Sequence, residues 1–114
     1  MPTNRDTNYI EQSLQYAREQ MERGYYLIPG HMHQAIRDYV LHGYQPGSFL
    51  TTLLSNDFME AVGRADEDNA RCLKGWAQFF YNYVPNGCYR SPEAVAAWIA
   101  GGGLYGCLSK DEAA

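Results

Sequence analysis

The chain has 114 residues, 46% hydrophobic and 19% charged, which is the size and make-up of one globular domain and not of a disordered tail. Nine basic residues against thirteen acidic ones give a net charge of −4, which argues against a general polyanion binder. No apolar run approaches the roughly 18 residues of a membrane span, and the polar start MPTNRDTN does not read as a signal peptide. A cytoplasmic protein without a membrane partner is expected.

The acidity is local. Residues 57–68 hold Asp57, Glu60, Asp66, Glu67 and Asp68 against Arg64 alone, and the remainder of the chain is balanced. Ten tyrosines join four phenylalanines and two tryptophans, side chains that suit a half-buried core as well as a ligand or subunit interface. Cys72, Cys88 and Cys107 are odd in number and form no CxxC, so they read as free thiols, with Cys72 packed inside a helix.

The predicted elements are helical from end to end. The first covers about Thr7 to Arg23, capped by Asp6 or Thr7, with Ile10, Leu14, Ala17 and Met21 on one face and Gly24 as its stop. Tyr25 to Pro29 read as an apolar, extended connector, because Pro29 disfavours helix at Ile28. A second helix spans about Gly30 to His42, turning Met32, Ala35, Ile36, Tyr39 and Val40 inward and ending at Gly43. After a turn at residues 44–48, Ser48 is a good N-cap for Phe49 onward. Apolar residues at 49, 50, 53 and 54 keep phase with 58, 61, 62 and 65, yet Ser55-Asn56-Asp57 favours a break, with Asn56 or Asp57 as a second cap. A helix over about Asp66 to Tyr83 follows, its first turn crowded with carboxylates that the helix dipole favours, its stripe Leu73, Trp76, Ala77, Phe80 and Val84. Ser91-Pro92-Glu93 opens a last helix, anchored by Val95, Trp98 and Ile99 and ended by three glycines. The expected fold is a single all-α domain over 1–114 with five or six short helices and a loose tail over about 104–114.

Candidate chemistry is sparse. His31 and His33 are two apart and point about 200° apart on a helix, so they cannot share a metal through one face. No GxSxG, HExxH or P-loop occurs; Asp57 and Glu60 are a possible acid–base pair, but carboxylates near a helix start are stabilising in any case. Neither a catalytic set, a metal nor a cofactor is expected, and an enzyme is the weakest of three readings. No helix has a basic face, so duplex nucleic acid is not an expected partner.

Two polar sets remain. Pro46-Gly47-Ser48 presents a helix N-terminus whose N–H groups and dipole favour an anion. Arg64, alone among carboxylates, reads either as a salt bridge or as a bidentate grip on phosphate. Tyr81-Asn82 reads either as a polar–aromatic pair that stacks on a base and reads its edge or as a helix end where Asn bonds the last carbonyls. The candidate ligand-binding residues are Ser48 and Arg64 for the anion, Asn69 and Asn82 for polar edges, and Tyr39 and Tyr81 for stacking.

From Leu27 to Ile99 the order of features resembles a group of small phage and prophage accessory proteins. The residues that carry the resemblance are Ile28-Pro29-x-His31-Met32, Ile36-x-x-Tyr39, Gly43-x-x-Pro46-Gly47-Ser48-Phe49-Leu50, Asn56-Asp57, Ala61-x-x-Arg64-Ala65-Asp66-x-x-Asn69, Tyr81-Asn82, Pro85, and Ser91-Pro92-Glu93 before Trp98. Cys88-Tyr89-Arg90 departs from the Trp-Gly expected there, and Arg90 adds a charge to that loop. The resemblance implies a viral or prophage origin and an anti-defence role in the host cytoplasm, by analogy of class. The leading expectation is therefore sequestration of a small phosphorylated or nucleotide-like signalling ligand. The alternative is a protein–protein inhibitor acting on a host defence protein through the acidic surface around 57–68. The surplus of aromatic surface further suggests a homo-oligomer, with a homodimer expected first.

Overall fold

Ile10, Leu14, Ala17 and Met21 are all buried along one side of α1 (Thr7–Gly24), as their spacing requires. The structure is a computed structural model that describes residues 7–113; Asp6, a candidate cap, lies outside them. Eight α-helices and no strand occur among the described residues, so the all-α class holds, with more helices than the five or six expected.

The additional helices come from breaks and from the tail. α2 (His33–His42) follows two 3₁₀ turns, Tyr25–Leu27 and Gly30–Met32, and only Ile28 and Pro29 between them are extended. Gly43 ends α2 in the left-handed conformation, φ 72°. α3 (Ser48–Leu54) and α4 (Phe58–Arg64) are separated at the polar triplet, where Asn56 takes φ 66° and Asp57 holds the N-cap position without a side-chain bond. α5 (Glu67–Arg71) and α6 (Leu73–Tyr83) divide the expected single helix at Cys72. The starts of α5 and α7 (Pro92–Ala100) follow their caps: Asp66 accepts from the Asn69 N–H at 2.7 Å and Ser91 Oγ from the Ala94 N–H at 3.0 Å.

Four expectations are corrected. Gly24 is not a left-handed stop: it stays in the right-handed region and lets the chain run on into the 3₁₀ turn. A Cβ there would stand 2.5 Å from the Tyr83 ring and 2.9 Å from that of Phe79, so the glycine is required by close packing of α1 on α6. Ser48 is not the N-cap of α3; extended Gly47 holds that position and Ser48 is the first helical residue. The buried face of α6 is Trp76, Phe79 and Phe80, with Ala77 exposed, because Trp76 and Phe79 meet edge-on at 6.1 Å and draw the helix round. Residues 103–113 are not a loose tail but form α8 (Gly103–Ala113), which packs on α2 and α1. The contact rests on two left-handed glycines: Gly43 and Gly103 bring the end of α2 and the start of α8 together with no room for a Cβ on either.

α1, α2, α6 and α8 thus enclose the core, centred on the fully buried Met21, Ile36, Tyr39, Trp76 and Phe79. α3 lies over it through Leu50 and Leu54, while α4 packs mainly on α3. No helix among the described residues is long and apolar enough to cross a membrane.

Candidate functional site

The loop between α6 and α7 is built from the core outward. Tyr39, wholly buried on α2, donates its hydroxyl to the Cys88 carbonyl at 2.7 Å. Cys88 is itself fully buried, and burial pushes its thiol up to about 12, so it is packed and not reactive. Two residues on, the Arg90 N–H donates to the Leu54 carbonyl at the end of α3, 2.8 Å away. The chain between these two anchors has no slack, and Arg90 adopts φ 118°, a region that side chains other than glycine seldom occupy.

The outcome is a groove of about 320 Å³ between the α3–α4 turn and α6. Leu53, Leu54, Leu73, Ala77 and Phe80 give it an apolar floor, and Asn56, Phe58, Tyr81, Tyr89 and Arg90 complete its walls. Tyr89 is buried and lies on Phe80 with ring centroids 5.4 Å apart. The Arg90 guanidinium sits 4.8 Å over the Tyr89 ring and donates to its hydroxyl at 3.4 Å. Arg90 has no ion pair among the described residues and is exposed, so its charge is open to a ligand. Tyr81 and Phe58 remain 70% and 58% exposed, two aromatic faces beside one free cation.

The six residues singled out from the sequence do not share a site. Only Tyr81 lines this groove. Tyr39 cannot stack on a ligand, being wholly buried with its hydroxyl committed to Cys88. Asn69 is buried too, and its Oδ1 accepts the Trp76 indole N–H at 3.0 Å, which holds the central tryptophan in place. Arg64 is half-exposed and donates Nε to Glu60 one turn earlier at 3.2 Å, the salt-bridge reading of that residue. Ser48 is exposed at the start of a helix of only seven residues. Asn82 points the other way, donating to the Gln78 carbonyl at 3.0 Å.

Asn82 lines a larger groove of about 560 Å³ between α1 and the end of α6, with Gln12, Gln20, Tyr16 and Tyr83. Among the described residues no charged side chain lines it. Arg90 is not among the six residues singled out from the sequence. Its only signal in the sequence is a lone base directly before a Ser-Pro helix start, and its left-handed backbone leaves no mark on residue type.

On the far side of α5, Asp66 accepts from His31 Nε2 at 2.9 Å as well as from the Asn69 N–H. The Asn69 N–H, and after it His31, holds its carboxyl below the usual range. His33 is occupied by the backbone, its Nε2 lying 3.1 Å from the Tyr25 carbonyl while its ring stacks on Tyr25 at 4.0 Å. No group of three or more metal-ligating side chains stands together among the described residues. Comparison with family models, with curated proteins and with solved structures finds no match for this chain.

Proposed function

We propose that the protein is a binding protein that captures a small phosphorylated ligand with a flat ring, of the nucleotide-like class, in the groove between the α3–α4 turn and α6. The observation that carries this reading is Arg90: a cation with no carboxylate partner among the described residues, held over Tyr89 by an anchored and strained backbone, beside two exposed aromatic rings. Backbone strain of this kind persists where the surroundings fix it, and it concentrates at ligand-binding positions. In this reading Tyr81 and Phe58 receive the ring, and the planar guanidinium takes the anion through parallel N–H bonds. A volume of about 320 Å³ is at the small end of the range for small-molecule sites. Among the described residues no carboxylate, imidazole or thiol lines the groove; capture without turnover is the activity proposed. That is also the mode of action expected of an anti-defence accessory protein.

The test is a thermal-shift and calorimetric panel of AMP, ADP-ribose and a cyclic dinucleotide, with adenosine and inorganic phosphate as half-ligands. A ligand at about 100 times its Kd adds roughly 2.7 kcal/mol of stability. A ring-plus-phosphate compound is expected to bind better than either half, and Tyr81→Ala is expected to weaken it. A panel in which no member binds, or in which inorganic phosphate does as well as the nucleotides, refutes the reading.

A further inference from the structure

We infer that the outer face of α4 is a docking surface for a basic amphipathic segment of a partner protein. Phe58, Met59 and Val62 are 58%, 78% and 39% exposed, although positions 58 and 62 belong to the apolar phase read from the sequence. Positions 58 and 62 are one turn apart and 59 and 62 are three apart, so the three side chains form one continuous stripe. Ala61 is the one residue of α4 that is buried, and the helix packs mainly on α3. A continuous apolar stripe held out in water is a recognised mark of an interaction site.

Charge decides what covers it. The stripe belongs to the stretch 57–71, which carries five carboxylates against Arg64 and Arg71. Those two arginines are already engaged with Glu60, and with Glu67 and Asp68, while Asp57, directly before the stripe, has no ion pair among the described residues. A second copy of the chain would set two such acidic stretches face to face across a twofold axis, where they repel. An anionic membrane or a nucleic acid meets the same field. A helix with apolar residues at i, i+3 and i+4 and lysine or arginine on its flanks satisfies both the stripe and its charge. Phe58 is shared with the Arg90 groove, but Met59 and Val62 do not line it, so substitutions at Met59 test this surface apart from the ligand reading.

The experiment uses the full chain and a fluorescently labelled, helix-forming peptide of leucine and lysine, with a leucine–glutamate peptide of the same pattern as control. Anisotropy titrations at low and high salt are expected to show binding of the basic peptide alone, weakening as salt rises. Met59→Asp is the decisive variant, since it makes the surface more acidic and less apolar at once. Docking on the stripe predicts at least a tenfold loss of affinity; attraction to acidic surface alone predicts equal or tighter binding. Met59→Ser, which removes the contact without adding charge, is expected to weaken binding as well, with the melting temperature of each variant confirming the fold. Unchanged or tighter binding by Met59→Asp overturns the inference, as does equal binding of the acidic peptide. So does a light-scattering mass of about twice 12.9 kDa that Met59→Asp returns to the monomer, because the occupant is then a second copy.

Discussion

Replacing Arg90 with glycine separates what the residue does for the fold from what it does for a ligand. A non-glycine residue at φ 118° carries strain of order 1–3 kcal/mol, and glycine relieves it. Against that gain stand the lost contact of the guanidinium with the Tyr89 ring, about 0.5–1 kcal/mol at an exposed site, and the extra freedom of glycine in the unfolded chain, about 0.4–1 kcal/mol. Arg90→Ala loses the same ring contact but keeps the strain. The glycine variant is therefore expected to be more stable than the alanine variant by roughly 1 kcal/mol. For a domain of this size that is a difference of about 4–5 °C in melting temperature.

Ligand binding is expected to move differently. Both variants lose a charge-assisted contact of about 1.5–3 kcal/mol, a drop of roughly 10–150-fold in affinity, for whichever nucleotide of the panel binds the unaltered chain best. Arg90→Lys is expected to recover only part of this, because an ammonium lacks the planar fork. Differential scanning calorimetry of the ligand-free proteins and titration calorimetry of the nucleotide give both numbers. A glycine variant that melts below the alanine variant refutes the strain argument. A glycine variant that binds the nucleotide normally refutes the assignment of Arg90 to the anion.

Three further substitutions address Tyr39 beneath the groove, the Arg64 ion pair and the Asp66 cap. Tyr39→Phe removes the donor to the buried Cys88 carbonyl and is expected to lower stability by about 1–3 kcal/mol in urea denaturation, far more than an ordinary loss of a surface hydroxyl. Arg64→Ala breaks only a half-exposed i,i+4 pair, so its unfolding free energy is expected to change by less than about 0.5 kcal/mol, with nucleotide binding unaltered. Asp66, whose carboxyl is held below its usual pKa of 3.8, stabilises the fold above that pH, and the contribution is lost as the pH falls through the lowered value. The melting-temperature gap between the parent chain and Asp66→Ala is therefore expected to be present at neutral pH and to close on acidification below about pH 4.

The parts of the fold legible in the sequence are those set by local chemistry. Gly43 as the end of α2, Ser91-Pro92 as a start, Asp66 in the acidic opening of α5 and the break at residues 55–57 each depend on a few adjacent residues. The parts that were not legible depend on neighbours distant in the chain. Three consecutive glycines read as the end of helical structure, yet Gly103 begins α8 because the backbone of residues 42 and 43 needs its missing side chain. Ala77 belongs to the predicted stripe of α6 and Phe79 lies beside it, and only the aromatic cluster with Trp76 selects Phe79 for the core. The candidate site was harder still. Asn69, Tyr39 and Arg64 have the right chemistry for a ligand, but residue type does not reveal that Trp76, Cys88 and Glu60 already occupy them.

Arg90 differs from those three in how the fold leaves it. Tyr39 fixes the carbonyl of Cys88, Leu54 fixes the N–H of Arg90, and Ser91 begins α7 in the next position, so the backbone on both sides of the arginine is committed to the structure. The strain at φ 118° is sustained by these bonds together, and no single one of them needs to carry it. The guanidinium then rests on Tyr89 with no carboxylate to neutralise it among the described residues. Folding has already ordered the loop, which lowers the entropy lost when a ligand binds and leaves more of each contact to appear as affinity. Arg64, on an exposed helix with Glu60 one turn away, would first have to give up its partner. A free charge on a fixed backbone is the better anion receptor of the two, and only one of the two arginines is in that condition.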